Sequence, residues 1–200
     1  MFKKIVVFSL ISFAFLIGCS DDSSSSDTVW EQKSQMLTNW ADNFIIPNYQ
    51  NLSDKLSNLE NSVAAFNTNP SLQSLEDLRD SWLQAYKSWQ HVEMFNIGPA
   101  EQSFYHLKMN VFPTSVSNIE NIISSGNYSI LDNSPYNSAQ GFPAMDYLLF
   151  GIAEDDASII NLYISNSNYR NYLTEIMDRM LINTSYVVNE WSSYRSAFIS

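Results

Sequence analysis

The side chains in this sequence able to do chemistry are few and widely spaced. Histidine occurs only at His91 and His106, which do not stand at ligand spacing, so a three-histidine zinc centre is excluded. Cys19 is the single cysteine, and it sits in a leader-like segment, leaving no disulfide and no thiol catalyst for a folded domain. No Gly-x-Ser-x-Gly elbow, phosphate loop or His-Glu-x-x-His helix is present. What remains is carboxylate chemistry. Glu93 and Asp146 could act on water as an acid and a base if folding brings them together. Glu93 follows Trp82 by eleven residues and Trp89 by four, so on a helix it shares their buried face. A carboxylate there needs a cap, a hydrogen bond or a site facing Asp146. His91 is expected near the end of the same helix, where an imidazole complements the C-terminal dipole.

The elements that must position these groups read as helices. Large apolar residues recur at Leu37, Trp40, Phe44, Tyr49, Leu52, Leu56, Leu59, Val63 and Phe66, steps of three or four with one slip near Pro47. That spacing predicts a long amphipathic helix broken or kinked at the proline. Ser71 is placed to cap a second helix whose stripe runs Leu72, Leu75, Leu78, Trp82, Tyr86, Trp89, Val92 and ends before Gly98-Pro99. A short helix over Ala100 to Met109, a break at Pro113 and a helix from Thr114 to Ser124 are expected next. Gly126 to Phe142, rich in Asn, Ser, Gly and Pro, reads as a long loop of the kind that carries function or disorder. Pro143 to Phe150 reads as a turn or two of helix, with Pro143 suited to the first position. Asp155 or Asp156 can cap a helix to Ile164. A final stripe from Tyr169 through Leu173, Ile176, Met180, Thr184, Val187 and Trp191 to Phe198 meets no stop signal. No segment alternates with period two, so the class is all-α, an antiparallel helical bundle. The tryptophans and tyrosines, at helical spacing, are expected in its core.

The N-terminus is a different kind of segment. Lys3 and Lys4 precede an apolar run from Ile5 to Ile17 that ends at Gly18-Cys19, too short to span a bilayer comfortably. Leu16-Ile17-Gly18-Cys19 resembles the lipobox of bacterial lipoproteins. That resemblance implies a signal peptide over 1–18, lipidation of Cys19, and attachment to the cell envelope at the outer membrane, on its periplasmic or surface face. Ser20 to Asp27 has no apolar residue and reads as a solvated tether over 19–27, leaving 28–200 as one domain. The formal charge of −11 becomes −13 without Lys3 and Lys4. So acidic a chain repels nucleic acid and anionic headgroups, so the membrane is a partner only through the lipid.

Several pieces then stand in a recognisable order. Trp82, Trp89, Glu93-Met94-Phe95, Gly98-Pro99, Asn110-Val111-Phe112-Pro113 and the run Gly141-Phe142-Pro143-Ala144-Met145-Asp146-Tyr147-Leu148-Leu149-Phe150-Gly151 are similar to the imelysin family. The resemblance implies an imelysin-like helical bundle in the bacterial envelope, linked to iron uptake and classed with metallopeptidases. It makes Gly141, Asp146 and Glu93 the candidate binding residues. The family signature is Gly-x-His-x-x-Glu, an imidazole and a carboxylate on one helical face. Here Gly141 and the Tyr-Leu-Leu-x-Gly tail are present, but Pro143 stands at the histidine position and Asp146 at the glutamate position.

Proline ligates nothing. Asp146 could still offer oxygen to a hard divalent or ferric ion, the one metal-ligand candidate, so the family pair is at best half present. The expectation is a non-enzymatic binding component associated with iron uptake, meeting a small ligand or iron-uptake proteins at the loop 126–142 and Asp146. The alternatives are a metal-dependent peptidase of the imelysin type and a structural or protein-interaction lipoprotein without a ligand site. Imelysin domains run to about twice this length. The sequence is therefore expected to be a fragment holding one half to two thirds of the usual domain, or a half-length member that associates with a copy through its last helix.

Overall fold

A computed structural model describes residues 26–200. The expected signal segment, Cys19 and the part of the expected tether up to position 25 lie outside the described residues. Two units are distinguished, one ending at Met36 and one spanning Leu37–Ser200. In the first, the early turns of helix α1 (Ser26–Trp40) carry local contacts of their own. Gln35 Nε2 donates to Glu31 Oε1 at 3.3 Å, and the Lys33 ammonium lies 4.6 Å from the Trp30 ring centre. The apolar spacing predicts a helix only from Leu37, because the residues before it form no repeating apolar stripe. The helix begins at Ser26 all the same, inside the expected tether.

In the second unit α1 passes into a π-helical turn at Ala41–Ile45 and then α2 (Ile46–Thr68). Pro47 is the cause: it has no N–H to donate, and its ring would collide with the carbonyl of Asn43 in a regular helix. A wider turn absorbs this without ending the helix. The extra residue rotates the face, so Trp40 and Phe44, expected on the buried stripe, are 47% and 49% exposed while Ala41 and Ile45 are fully buried. From Tyr49 onward the expected stripe is buried through Phe66.

Ser71 caps α3 (Leu72–Trp89) as expected, its Oγ accepting from the Ser74 N–H while the Ser74 hydroxyl accepts from the Ser71 N–H, a reciprocal capping box. The short connection returns α3 antiparallel to α2, and α9 (Ser167–Phe198) packs on α2 as well. Asn67, near the end of α2, donates to the Arg170 carbonyl and to Thr174, whereas Asp42 pairs with Arg195. So α2 and α9 also run antiparallel. The stripe of α9 from Leu173 to Trp191 is buried within this unit. Each fully buried Leu, Ile or Phe along these faces contributes roughly 1.5–3 kcal/mol.

Short elements fill the span between α3 and α9. They are α4 (Pro99–Gln102), α5 (Tyr105–Met109), α6 (Val116–Ser125), 3₁₀ turns at Tyr128–Asp132 and Ser134–Ala139, α7 (Gly141–Asp146), a second π turn at Tyr147–Gly151, and α8 (Asp156–Ser165). The single helix expected over Ala100 to Met109 is split at Phe104, whose φ of +54° interrupts it. The stretch expected as a loop from Gly126 to Phe142 is instead ordered as the two 3₁₀ turns and the start of α7, with Leu131, Ala139 and Gln140 buried. Asp155 caps α8 by accepting from the Ser158 N–H at 2.7 Å. No described helix is long and apolar enough to cross a membrane.

Candidate functional site

Gly141 opens α7 in a conformation that requires glycine. Its φ is +75°, and a β-carbon there would sit 2.2 Å from the Met109 carbonyl oxygen and 2.9 Å from that of Lys108. Pro143 is the third residue of the helix rather than the first, and is buried. Its missing N–H costs nothing, because N–H groups in a first turn have no intrahelical acceptor. Gln140 precedes the helix in extended conformation, buried, its Nε2 donating to the Leu131 carbonyl at 3.2 Å and to Asn137 Oδ1 at 3.3 Å. Phe142 is buried against Tyr86 and Trp89, and its carbonyl accepts from Trp82 Nε1.

The far end of the motif is held by Arg79. The π turn frees carbonyls from the helical ladder, and Arg79 donates to that of Leu149 through Nε at 3.0 Å and Nη2 at 2.7 Å. The same guanidinium pairs with Asp156 at 2.7 Å and lies over the Phe150 ring. Tyr147 donates to Glu120, and burial first, then that carboxylate, pushes its phenol up to about 12. Asp146, between these anchors, is half-buried, and burial alone raises its carboxyl above the ordinary range. Among the described residues it has no hydrogen-bond or ion-pair partner.

Glu93 lies elsewhere than expected. Because α3 stops at Trp89, Glu93 leaves the buried stripe and stands exposed in the following turn, accepting from Asn110 Nδ2 at 3.0 Å. Its carboxylate meets Asn110 while that of Asp146 meets no side chain, so among the described residues no contact joins the two carboxylates. His91 is exposed in the same turn, and His106 Nδ1 lies 3.2 Å from Asn96 Oδ1. Among the described residues no three His, Cys, Asp or Glu side chains are grouped to hold a metal ion. The donors present therefore do not fit a metal held as the signature would hold it: one position is a buried proline ring, the other a single carboxylate.

A concavity of about 420 Å³ opens instead between the 3₁₀ turns and α9, lined by Lys108, Asp132, Gln140, Glu175, Asp178 and Arg179 among others. The expected site thus divides: residues of the stretch 126–142 line this cavity, and Asp146 does not. Glu175, Asp178 and Arg179 belong to no motif in the sequence, and the signal that marks them is their spacing of three and four, which puts these charges on one helical face. Arg179 is held by Asp132 at 2.6 Å and Glu175 at 2.7 Å.

Comparison with known proteins places this arrangement. Iron-regulated protein A of Synechococcus elongatus is 24% identical over 124 residues, 62% of this chain and 33% of that protein. The crystal structure of an iron-regulated protein A precursor from Parabacteroides distasonis superposes with a TM-score of 0.74 at 24% identity, covering 84% of this chain and 50% of that one. An imelysin-like protein from Psychrobacter arcticum gives a TM-score of 0.71 at 20% identity over 84% of this chain and 52% of its own. The chain spans about a third of the first relative and half of each solved chain, and the structural likenesses establish the fold. The family model described as Imelysin matches residues 45–200, and the chain belongs to the imelysin family.

Proposed function

We propose that this chain is an envelope lipoprotein, anchored through lipid on Cys19, that serves iron handling as a binding component rather than a hydrolase. The observation that carries the reading is Asp146. It is a half-buried carboxylate at the centre of the family motif, raised by burial and left without a partner, opposite no imidazole because Pro143 occupies that position. A carboxylate so placed is poised to accept a donor or cation supplied by a ligand, whereas one carboxylate alone supplies neither a metal centre nor an acid–base pair. The iron connection is supported by two relatives named as iron-regulated proteins, and the anchor by the lipobox-like Leu16 to Cys19.

The test is radioiron accumulation under iron limitation in cells lacking the chain, complemented with the unaltered form, Asp146→Ala or Cys19→Ala. Loss of accumulation that only the unaltered form restores, with Cys19→Ala released from the membrane fraction, is the expected result. Accumulation indifferent to the chain would refute the iron role. Hydrolysis of a generic peptide substrate that disappears with Asp146→Asn would replace the binding role by a catalytic one.

A further inference from the structure

The early turns of α1 present an exposed apolar face. Val29, Trp30 and Met36 are 58%, 60% and 49% exposed. At the helical repeat these three and Lys33 fall within about a third of the circumference. Glu31 and Gln35 lie on the opposite side, joined by their own hydrogen bond. Single exposed apolar residues are ordinary, but an apolar strip backed by a polar one is the pattern of a helix lying at a boundary between water and lipid. Lys33 sits at the middle of the strip, its ammonium 4.6 Å from the Trp30 ring centre.

That lysine decides between occupants. A second copy laid on the same face would bring two ammonium groups into one apolar seam, where like charges repel and desolvation is costly. Three half-exposed side chains also fall well short of the roughly 800 Å² per partner that a stable protein interface buries. At a bilayer surface the same residues are complementary. The tryptophan ring sits at headgroup level, the lysine stem lies along apolar surface, and its ammonium reaches a lipid phosphate. Residues 19–25 link the cysteine to the start of α1, and a run of that length spans at most about 25 Å however it is arranged. Lipid on Cys19 therefore holds this face beside the bilayer at high effective concentration, where a weak contact is enough. The acidic balance of the chain makes neutral headgroups the fitting ones. We infer that the face of Val29, Trp30, Lys33 and Met36 binds the headgroup region of the bilayer. The inference rests on the Cys19 anchor proposed above and is independent of any role for Asp146.

Nitroxide labelling of the membrane-anchored chain, reconstituted in phosphatidylcholine vesicles, tests this. Cys19 is the single cysteine, so its acylation leaves a cysteine introduced by Val29→Cys or Glu31→Cys as the only thiol, and each variant takes up one label. Both positions are exposed, so neither change disturbs packing. Collisions with oxygen, which concentrates in the bilayer, are compared with collisions with a water-soluble nickel chelate. The ratio is expected to be about threefold or more higher at position 29 than at position 31. Adding Trp30→Ser to Val29→Cys should bring it most of the way down to the value at 31. Equal ratios at the two positions in singly labelled chains, or a ratio unmoved by Trp30→Ser, would overturn the inference alone. So would spectral broadening at position 29 that vanishes on mixing with unlabelled chain, since a second copy would then cover the face. Two labels per chain would show that Cys19 is not acylated, and would overturn the anchor and this surface together.

Discussion

The backbone of Gly141 lies against the carbonyl of Met109 so closely that a β-carbon would come within 2.2 Å of its oxygen. This contact gives the motif glycine a structural task independent of any ligand. It lets α5 end directly beside the start of α7, which sets both the Lys108 wall of the cavity and the direction in which α7 carries Asp146.

Gly141→Ala combines a disfavoured left-handed backbone with a collision against main chain that cannot rotate away. A loss of about 2–4 kcal/mol in unfolding free energy is expected, read as a lower urea midpoint. Gly126→Ala is the control: its φ is +64° with nothing within 4 Å of an added β-carbon, so only the smaller backbone penalty of about 1 kcal/mol applies.

The long helices were legible because burial imposes its period directly on the residues, as from Tyr49 to Phe66 and from Leu173 to Trp191. Where the ladder changes width the period misleads: Trp40 and Phe44 fit the apolar spacing yet face solvent, because the π turn before Pro47 adds a residue. Glu93 was misplaced for a related reason, since Val92 prolongs the apolar stripe beyond the last helical residue, Trp89. The polar stretch from Gly126 read as a loop because 3₁₀ turns this short leave no repeating apolar period. Gly141 and Asp146 were legible as a motif, but the cavity was not. Asp178 and Arg179 look like a solvated face of α9 until Lys108 and Gln140, distant in sequence, close a wall around them.

Asp146 makes stability depend on pH in a stated direction. Its folded carboxyl titrates above the ordinary value of 3.8, with burial as the cause. The folded state therefore binds the proton more readily than the unfolded one, and the group destabilises the fold as pH rises through its folded pKa. Asp146→Asn is expected to be more stable than the unaltered chain at pH 7, with the difference shrinking as pH falls toward 3.8. Urea midpoints of both proteins at pH 4, 5 and 7 check this. A difference that is constant with pH would mean that the carboxylate is not penalised by its surroundings.

Arg79 should matter more through Leu149 than through its ion pair. Its side chain is 17% exposed and makes two hydrogen bonds to the freed carbonyl, while Asp156 is 45% exposed. Arg79→Met leaves that carbonyl without donors and should cost about 1–3 kcal/mol. Arg79→Lys should recover little of this, since one ammonium cannot reproduce the fork. Asp156→Asn should lower stability less than either. Denaturation midpoints rank the three, and an Asp156→Asn effect equal to that of Arg79→Met would assign the anchoring to the salt bridge instead.

Thr184 and Tyr105 form a buried polar pair between α9 and α5, with oxygens 2.7 Å apart. Thr184 donates its only hydroxyl proton to the Met180 carbonyl at 2.7 Å, so Tyr105 is the donor between the two. Thr184→Val keeps the shape but strands the Tyr105 hydroxyl in the core, which should cost about 1–3 kcal/mol. Tyr105→Phe removes the stranded donor, and in the Thr184→Val background it should therefore cost less than it does alone, or even restore stability. Thermal unfolding of the two single variants and the double variant completes the cycle. Strictly additive losses would show that the hydroxyls are satisfied separately and that the pair does not join α5 to α9.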